Sequence, residues 1–299
     1  MSKMFEALMK VNGDIANVAL PLITEAGGVQ TSSKVQDPPL AMSGVATPPP
    51  EPEIHEEAVR VQKLNIKEDS PLVVADPSSS AATEQYRIIR TRILQHDRKT
   101  KLLLISSAGA GDGKTVSAIN IASILGLRDA NVLLIDADLR RSSVAKVLGI
   151  PNSPGLGDVL SGRCPLEKAV VRAEQHPNLY ILTAGHRTSN PAELLDSPQW
   201  KVFCSMVREH FDFVVFDAPP IAAVADYELL QAVSDSVIVV VRPDHTEKSM
   251  CMRAIGLVPE EKLLGVVVNC AFKWFLSDSH HPYDYYGANN GRKGYAAVS

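Results

Sequence analysis

No stretch of this sequence is apolar for long enough to cross a membrane. Its purely apolar runs are short, such as Val237–Val241, where a spanning helix needs roughly 20 residues. The opening Met-Ser-Lys-Met-Phe-Glu-Ala has no basic region followed by a long apolar one, so it does not read as a secretory leader. A cytoplasmic protein is expected, with any membrane association supplied by a partner. Cysteine is scarce: Cys164, Cys204, Cys251 and Cys270 stand alone, with no Cys-x-x-Cys pair. That spacing argues against zinc and iron–sulfur chemistry and leaves four buried or half-buried thiols. An excess of positive charge is also lacking. Thirty Lys and Arg against 34 Asp and Glu leave a net charge of −4, with a pI near 6.1, which excludes nucleic-acid binding through bulk positive charge. Tyrosine is rare, seven in 299 residues, so its distribution carries information.

What is present divides into three zones. Residues 1–80 contain Gln-Asp-Pro-Pro-Leu at 36–40 and Thr-Pro-Pro-Pro-Glu-Pro-Glu at 47–53. Proline fixes φ and removes donors, so an extended linker is expected there. Ahead of it, Met4, Phe5, Leu8 and Met9 fall at helical spacing. They suggest a short amphipathic helix that either folds back on the main domain or docks on another protein. Residues 81–275 hold apolar runs at Leu102–Ile105, Val132–Ile135, Leu179–Leu182, Phe213–Phe216, Val237–Val241 and Val266–Val268. Helical patterns such as Val116–Gly126 and Trp200–His210 lie between them. Short continuous strands alternating with helices predict an α/β domain, a mostly parallel sheet covered on both faces. The overall content of apolar residues, 45%, suffices for its core. Residues 276–299 are rich in Gly and Asn, lack apolar periodicity and read as a flexible tail.

The first strand of that domain runs into Ser106-Ser107-Ala108-Gly109-Ala110-Gly111-Asp112-Gly113-Lys114-Thr115 and then a helix beginning near Val116. This is a P-loop in which Ala108 replaces the usual first glycine. Glycines let successive N–H groups curl around phosphate oxygens, and the helix amino terminus adds partial positive charge. Gly109, Gly111, Asp112, Gly113, Lys114, Thr115 and Val116 are the expected nucleotide-binding residues. Lys114 would reach the β- and γ-phosphates and the Thr115 hydroxyl would ligate Mg²⁺. Two other strands end in carboxylates. One closes in Asp136-Ala-Asp138-Leu-Arg140-Arg141, the other in Asp217-Ala-Pro-Pro220. In open parallel sheets ligands bind at the carboxyl ends of strands, so Asp136, Asp138 and Asp217 are expected to converge on the phosphate loop. Arg140 and Arg141 would either clamp phosphate or pair on the surface. Asn190-Pro191-Ala192-Glu193 reads as a helix start closed by a capping box.

The apolar run into Asp136-x-Asp138-x-Arg140 forms the motif called Walker A′. Together with the loop at 108–115 and the strand ending at Asp217, it resembles the bacterial tyrosine kinases, closest to the cytoplasmic type of capsule and exopolysaccharide synthesis. Glu84-Gln-Tyr-Arg87-Ile-Ile-Arg90, Asn190-Pro-Ala-Glu-Leu-Leu195 and Asp217-Ala-Pro-Pro220 are similar to that family as well, and the resemblance covers about 81–286. It implies an ATP- and Mg²⁺-dependent protein-tyrosine autokinase. In it Lys114 stabilises the transferring phosphoryl group, Thr115, Asp138 and Asp217 hold the metal, and Asp136 orients and deprotonates tyrosine. It implies a ring of subunits joined through Glu84, Arg87 and Arg90. It also implies a membrane-embedded polysaccharide co-polymerase or adaptor as activator, and a cognate tyrosine phosphatase. The tail supplies acceptors: Tyr283, Tyr285, Tyr286 and Tyr295 are four of the seven tyrosines. Twenty extended residues span roughly 66 Å, enough to enter a neighbour's site.

Two absences sharpen the choice. The chain has neither His-Arg-Asp nor Asp-Phe-Gly, so a kinase here uses P-loop machinery and not the eukaryotic kinase set. Partitioning and positioning ATPases carry an extra lysine at the second loop position, which is Gly109 here. A switch ATPase of that type, without kinase activity, is the alternative. A non-catalytic nucleotide sensor is a third reading, opposed by the intact Lys114, Thr115 and three aspartates.

Overall fold

The computed structural model describes residues 59–270, except 68–69, 74–80, 98 and 128. The expected helix at 4–11, the proline-rich linker and the tyrosine tail lie outside the described residues. Each long apolar run is a strand at the expected place: β2 (Leu102–Ser107), β3 (Val132–Asp136), β5 (Leu179–Leu182), β6 (Phe213–Asp217), β7 (Ser236–Val241) and β8 (Leu263–Val268). Two three-residue strands, β1 (Arg60–Gln62) and β4 (Val171–Ala173), join them. The sheet runs β1-β4-β5-β3-β6-β2-β7-β8 and is parallel except between β4 and β5.

Alternation along the buried strands divides the core. Leu103, Ile105, Val132, Leu134, Val215, Ile238 and Val240 point into one cluster. That cluster includes Ile93 of α1 (Ala81–Gln95) and Ile119, Ile121, Ala122 and Leu125 of α2 (Lys114–Leu125). Helix α2 is buried along almost its whole length, as befits a helix with no charged side chain after Lys114, packed between sheet and neighbours. The chain then forms α3 (Val144–Leu148), α4 (Leu156–Leu160), α5 (Leu166–Ala169) and α6 (Pro191–Leu195). Helix α7 (Pro198–His210) follows, then α8 (Asp226–Val233) and α9 (Lys248–Gly256). On the other face of the sheet, Trp200 of α7 stacks with Phe203 at 5.6 Å and meets the Phe216 ring edge-on at 5.7 Å.

The α/β unit starts before the expected boundary at 80/81. β1 pairs with β4, and Leu64 and Leu72 are buried in the same cluster as α2. Val73 N donates to Asn120 Oδ1 at 2.8 Å, and Asn120 Nδ2 donates to Pro71 O at 3.1 Å. The described residues between 59 and 73 are therefore part of the sheet and core, not linker. The start of α6 also differs in detail. Pro191 opens the helix, but the Asn190 side chain accepts no capping hydrogen bond from the backbone; its Nδ2 donates to Glu193 Oε2 at 2.9 Å.

Candidate active site

Strand order creates the site. From β2 the chain crosses to β3 on one side and β7 lies on the other, so β2 sits at the switch point, with β6 between β2 and β3. Ligand crevices form outside the carboxyl ends of strands at such a point. Parallel register aligns Asp136 with Asp217 on adjacent strands and Ile105, just ahead of the phosphate loop, with Asp217. Asp136, Asp138 and Asp217 thus come together with the loop.

The loop has the backbone a phosphate cradle requires. Gly111 and Gly113 sit at φ +89° and +91°, a region closed to residues with a Cβ except under strain. A Cβ on Gly113 would stand 2.0 Å from Asn269 Nδ2. Three distant residues brace the loop from the end of β7 and β8. Asn269 Nδ2 donates to Asp112 O at 2.8 Å, the His245 ring donates through Nε2 to Ala110 O at 2.8 Å, and Thr246 Oγ1 donates to Asp112 Oδ1 at 2.5 Å. Asp112 Oδ2 accepts from Gly109 N at 2.8 Å, so this buried carboxylate is engaged within the loop itself. A Cβ at Gly109 would meet Thr246 Oγ1 at 2.8 Å. A lysine at this position, the mark of the switch ATPases, would need that neighbour to move.

Lys114 Nζ bridges Asp217 Oδ1 at 3.1 Å and Asp138 Oδ2 at 3.2 Å. Thr115 Oγ1 donates to Asp217 Oδ2 at 2.6 Å and lies 2.8 Å from Ser143 Oγ. Burial works against the Lys114 ammonium, yet the charges of Asp217 and Asp138 outweigh it and hold its pKa above the ordinary value. Burial pushes the Asp217 carboxyl up, against the pull of Lys114 and the Thr115 hydroxyl. Asp136 is out of the lysine bridge. Its Oδ2 accepts from Ser143 N at 2.9 Å and Val144 N at 3.0 Å, anchoring the start of α3. Its Oδ1 is buried with no hydrogen-bond partner. Burial first, then the Asp217 charge, raise its carboxyl to about 7. Val116 is half-buried against the core behind the loop.

The arginines separate. Arg140 is bound in a fork to Asp226 at the start of α8, Nε–Oδ2 2.8 Å and Nη2–Oδ1 2.9 Å, so it is paired, but with a buried carboxylate and not on the open surface. Arg141 N donates to Asp138 Oδ1 at 3.0 Å, and its side chain is exposed. In α1, Glu84 and Arg87 form an exposed pair at 3.4 Å. Arg90 turns inward instead, and its Nη1 donates to Ile124 O at 3.3 Å, at the carboxyl end of α2. The three do not present one open face. Ser143, Thr246, His245, Asn269 and Asp226 were not singled out from sequence; all but Ser143 lie at least 86 residues from their partners here, and no local pattern marks them.

Residues 100–252, just over half of the chain, match the family model described as an AAA domain, which makes this a nucleotide-binding domain. The chain is 35% identical over 237 residues to the tyrosine-protein kinase YwqD of Bacillus subtilis (strain 168), covering 78% of this chain and 98% of that one. It is 32% identical over 222 residues to the tyrosine-protein kinase ptk of Acinetobacter johnsonii, covering 74% of this chain but 30% of that longer protein. Among solved structures, the chimerical protein CapA2B2 superposes with a TM-score of 0.64 at 26% identity, covering 70% of this chain and 92% of that one. The VpsO kinase domain superposes with a TM-score of 0.58 at 30% identity, covering 62% and 94%.

Proposed function

This chain belongs to the bacterial tyrosine-protein kinases, and from that premise we propose that it phosphorylates the tyrosines of its own carboxyl-terminal tail, residues 276–299, delivered by a neighbouring copy. The acceptors are Tyr283, Tyr285, Tyr286 and Tyr295. The observation that carries the reading is the buried constellation of Lys114, Thr115, Asp136, Asp138 and Asp217 around the phosphate loop. ATP is the phosphoryl donor. Gly109, Gly111, Asp112, Gly113, Lys114, Thr115 and Val116 provide the cradle through backbone N–H groups and the start of α2.

The donor set fits a hard divalent cation. Three carboxylates and a hydroxyl stand against a single ammonium, and oxygen ligands suit Mg²⁺. Thr115, Asp138 and Asp217 would hold it, and it would offset the charge of the β- and γ-phosphates. The remaining work falls to side chains. Lys114, now bridging two carboxylates, swings its ammonium to the phosphoryl oxygens and stabilises charge there. Asp136 Oδ1, unpartnered, accepts the phenolic proton. The tyrosine oxygen forms the new bond to phosphorus as the bond to the β,γ-bridging oxygen breaks, and that electron pair leaves with ADP.

The same reading assigns the surroundings. Glu84 and Arg87 join subunits into a ring, with Arg90 acting indirectly by fixing α1 on α2. Phosphorylated tails repel one another and favour ring opening. The protein works in the cytoplasm at the inner face of the membrane, recruited and activated by a membrane-embedded polysaccharide co-polymerase or adaptor, and it is reset by a tyrosine phosphatase. Its output is control of capsule or exopolysaccharide synthesis and export.

The test is incubation of the full chain with Mg-ATP, with and without an adaptor-derived peptide, followed by mass spectrometry. Phosphotyrosine at 283–295 is expected, falling at least roughly 10²-fold in Lys114→Met. ATP hydrolysis without tail phosphotyrosine under every condition would overturn the reading.

A further inference from the structure

A second feature beside the carboxylates has the opposite charge. A pocket of about 360 Å³ opens next to Asp138, lined among others by Leu139, Arg140, Arg141, Arg187, Thr188 and Ser189. No carboxylate lines it, and no residue of the phosphate loop does. Arg140 is neutralised by Asp226. Arg141 and Arg187 are exposed and have no hydrogen bond or ion pair from their side chains among the described residues. Two guanidiniums therefore face one cavity without a counter-charge.

Both are held from behind. Arg141 is tied through its own N–H to Asp138 Oδ1. Arg187 follows His186, whose N–H donates to Asp158 Oδ2 at 3.1 Å and whose Nδ1 lies 2.9 Å from Asp158 Oδ1. Asp158 is buried, and it also accepts from Gly155 N at 3.0 Å and Arg163 Nε at 3.0 Å. Asn152 Nδ2 fixes Gly185 O at 2.7 Å. The loop bringing Arg187 to the pocket is thus anchored on a buried carboxylate.

We propose that Arg141 and Arg187 form a subsite for a phosphotyrosine on the incoming tail, seated there while a second tyrosine occupies the transfer site. This deepens the proposed function and rests on it. Two guanidiniums suit a phosphate dianion, which they bind through charge-assisted paired hydrogen bonds. The acceptors are spaced to use it. Tyr283, Tyr285 and Tyr286 lie within four residues, and an extended chain carries Tyr286 roughly 10 Å from Tyr283. A tail that already bears a phosphate is repelled by the three aspartates; a cationic seat beside them turns that first phosphate into an aid to the next transfer.

Two measurements test this. In the first, peptides covering 277–291 are titrated into full-length Lys114→Met protein by fluorescence anisotropy, unphosphorylated or phosphorylated at Tyr286. Phosphorylation is expected to tighten binding roughly tenfold or more, and Arg141→Ala/Arg187→Ala to abolish the difference. Inorganic phosphate should compete with the phosphopeptide. Equal binding of the two peptides, or equal loss for both in the double variant, overturns the proposal; the second result would mean that the pocket reads a carboxylate such as Asp284. In the second, mass spectrometry follows tail phosphorylation in the active chain. The ratio of second to first transfer rates is expected to fall at least roughly tenfold in the double variant and to recover in part in Arg141→Lys/Arg187→Lys. An unchanged ratio alongside normal tail phosphorylation sinks the subsite and leaves the kinase reading intact. Absence of tail phosphotyrosine sinks the kinase reading, and the peptide titration still decides the subsite.

Discussion

Asp136 carries two duties on two oxygens. Oδ2 accepts two backbone N–H groups and so holds the start of α3, while Oδ1 is left buried and unpartnered. An orphaned buried acceptor is costly, of order 1–3 kcal/mol, and such a cost in a native fold calls for a function. Asp136→Asn separates the two duties. The amide oxygen can still accept from Ser143 and Val144, and the amide nitrogen cannot take a proton. The expected result is a fall in phosphoryl transfer of roughly 10²–10⁴-fold, with nucleotide affinity and thermal stability nearly unchanged. Transfer at the wild-type rate would remove Asp136 from the chemistry. These carboxylates were legible in sequence because each closes an apolar run, and strand ends are where open sheets bind ligands. The braces behind the loop were not. Asn269 acts on Asp112 across 157 positions and Thr246 across 134, and nothing local to either residue signals a partner so far away.

At the scale of elements, long apolar strands announce themselves and short polar ones do not. β1 reads Arg-Val-Gln and β4 Val-Arg-Ala; neither is long enough to display alternation, and their pairing is fixed by neighbours already in the sheet. Helix α1 shows the same override. Its spacing put Glu84, Arg87 and Arg90 on one broad face, but the free carbonyl of Ile124 at the end of α2 draws Arg90 inward. Asp158 is the element-scale knot that sequence hid, because an aspartate in a short helix is ordinarily a cap. Burial opposes its charge, but the His186 N–H and ring, Gly155 N–H and Arg163 prevail and hold its pKa below the ordinary value. A folded pKa below the unfolded one means that the stabilisation is complete above the ordinary value of 3.8. It is lost as pH falls through the depressed folded value. Asp158→Asn is therefore expected to lower stability by about 1–3 kcal/mol at neutral pH. The deficit relative to wild type should shrink on acidification below about pH 4. Thermal melts across that range, on both proteins, check it; a deficit that stays constant down to the lowest usable pH would contradict the role given to the Asp158 charge.

The whole molecule is larger than its most strongly patterned zone. Composition assigns residues 1–80 to an extension ahead of the domain, with a proline-rich linker within it, yet Leu64 and Leu72 are each only 4% exposed and lie in the cluster that supports α2. The segment is stitched to the domain by polar contacts too. Leu64 N donates to Gln175 Oε1 at 3.1 Å and Leu64 O accepts from Gln175 Nε2 at 3.0 Å, while Asn120 closes a reciprocal pair with Val73 and Pro71. Asn120 lies within α2 and is buried, so its amide has no water to turn to if residues 71–73 leave. Removal of a buried leucine side chain costs about 2–5 kcal/mol, and an unsatisfied buried amide adds about 1–3 kcal/mol. Two truncations compare the consequences: one chain beginning at residue 59, the other at residue 74. The second is expected to be less stable than the first by at least about 4 kcal/mol, a drop in Tm of roughly 10 °C or more for a domain of this size. Because α2 carries the phosphate loop at its start, nucleotide affinity should fall with it, although none of the described residues between 59 and 73 supplies a group to the loop. Equal melting temperatures for the two chains would return this segment to the linker and leave the domain beginning at α1.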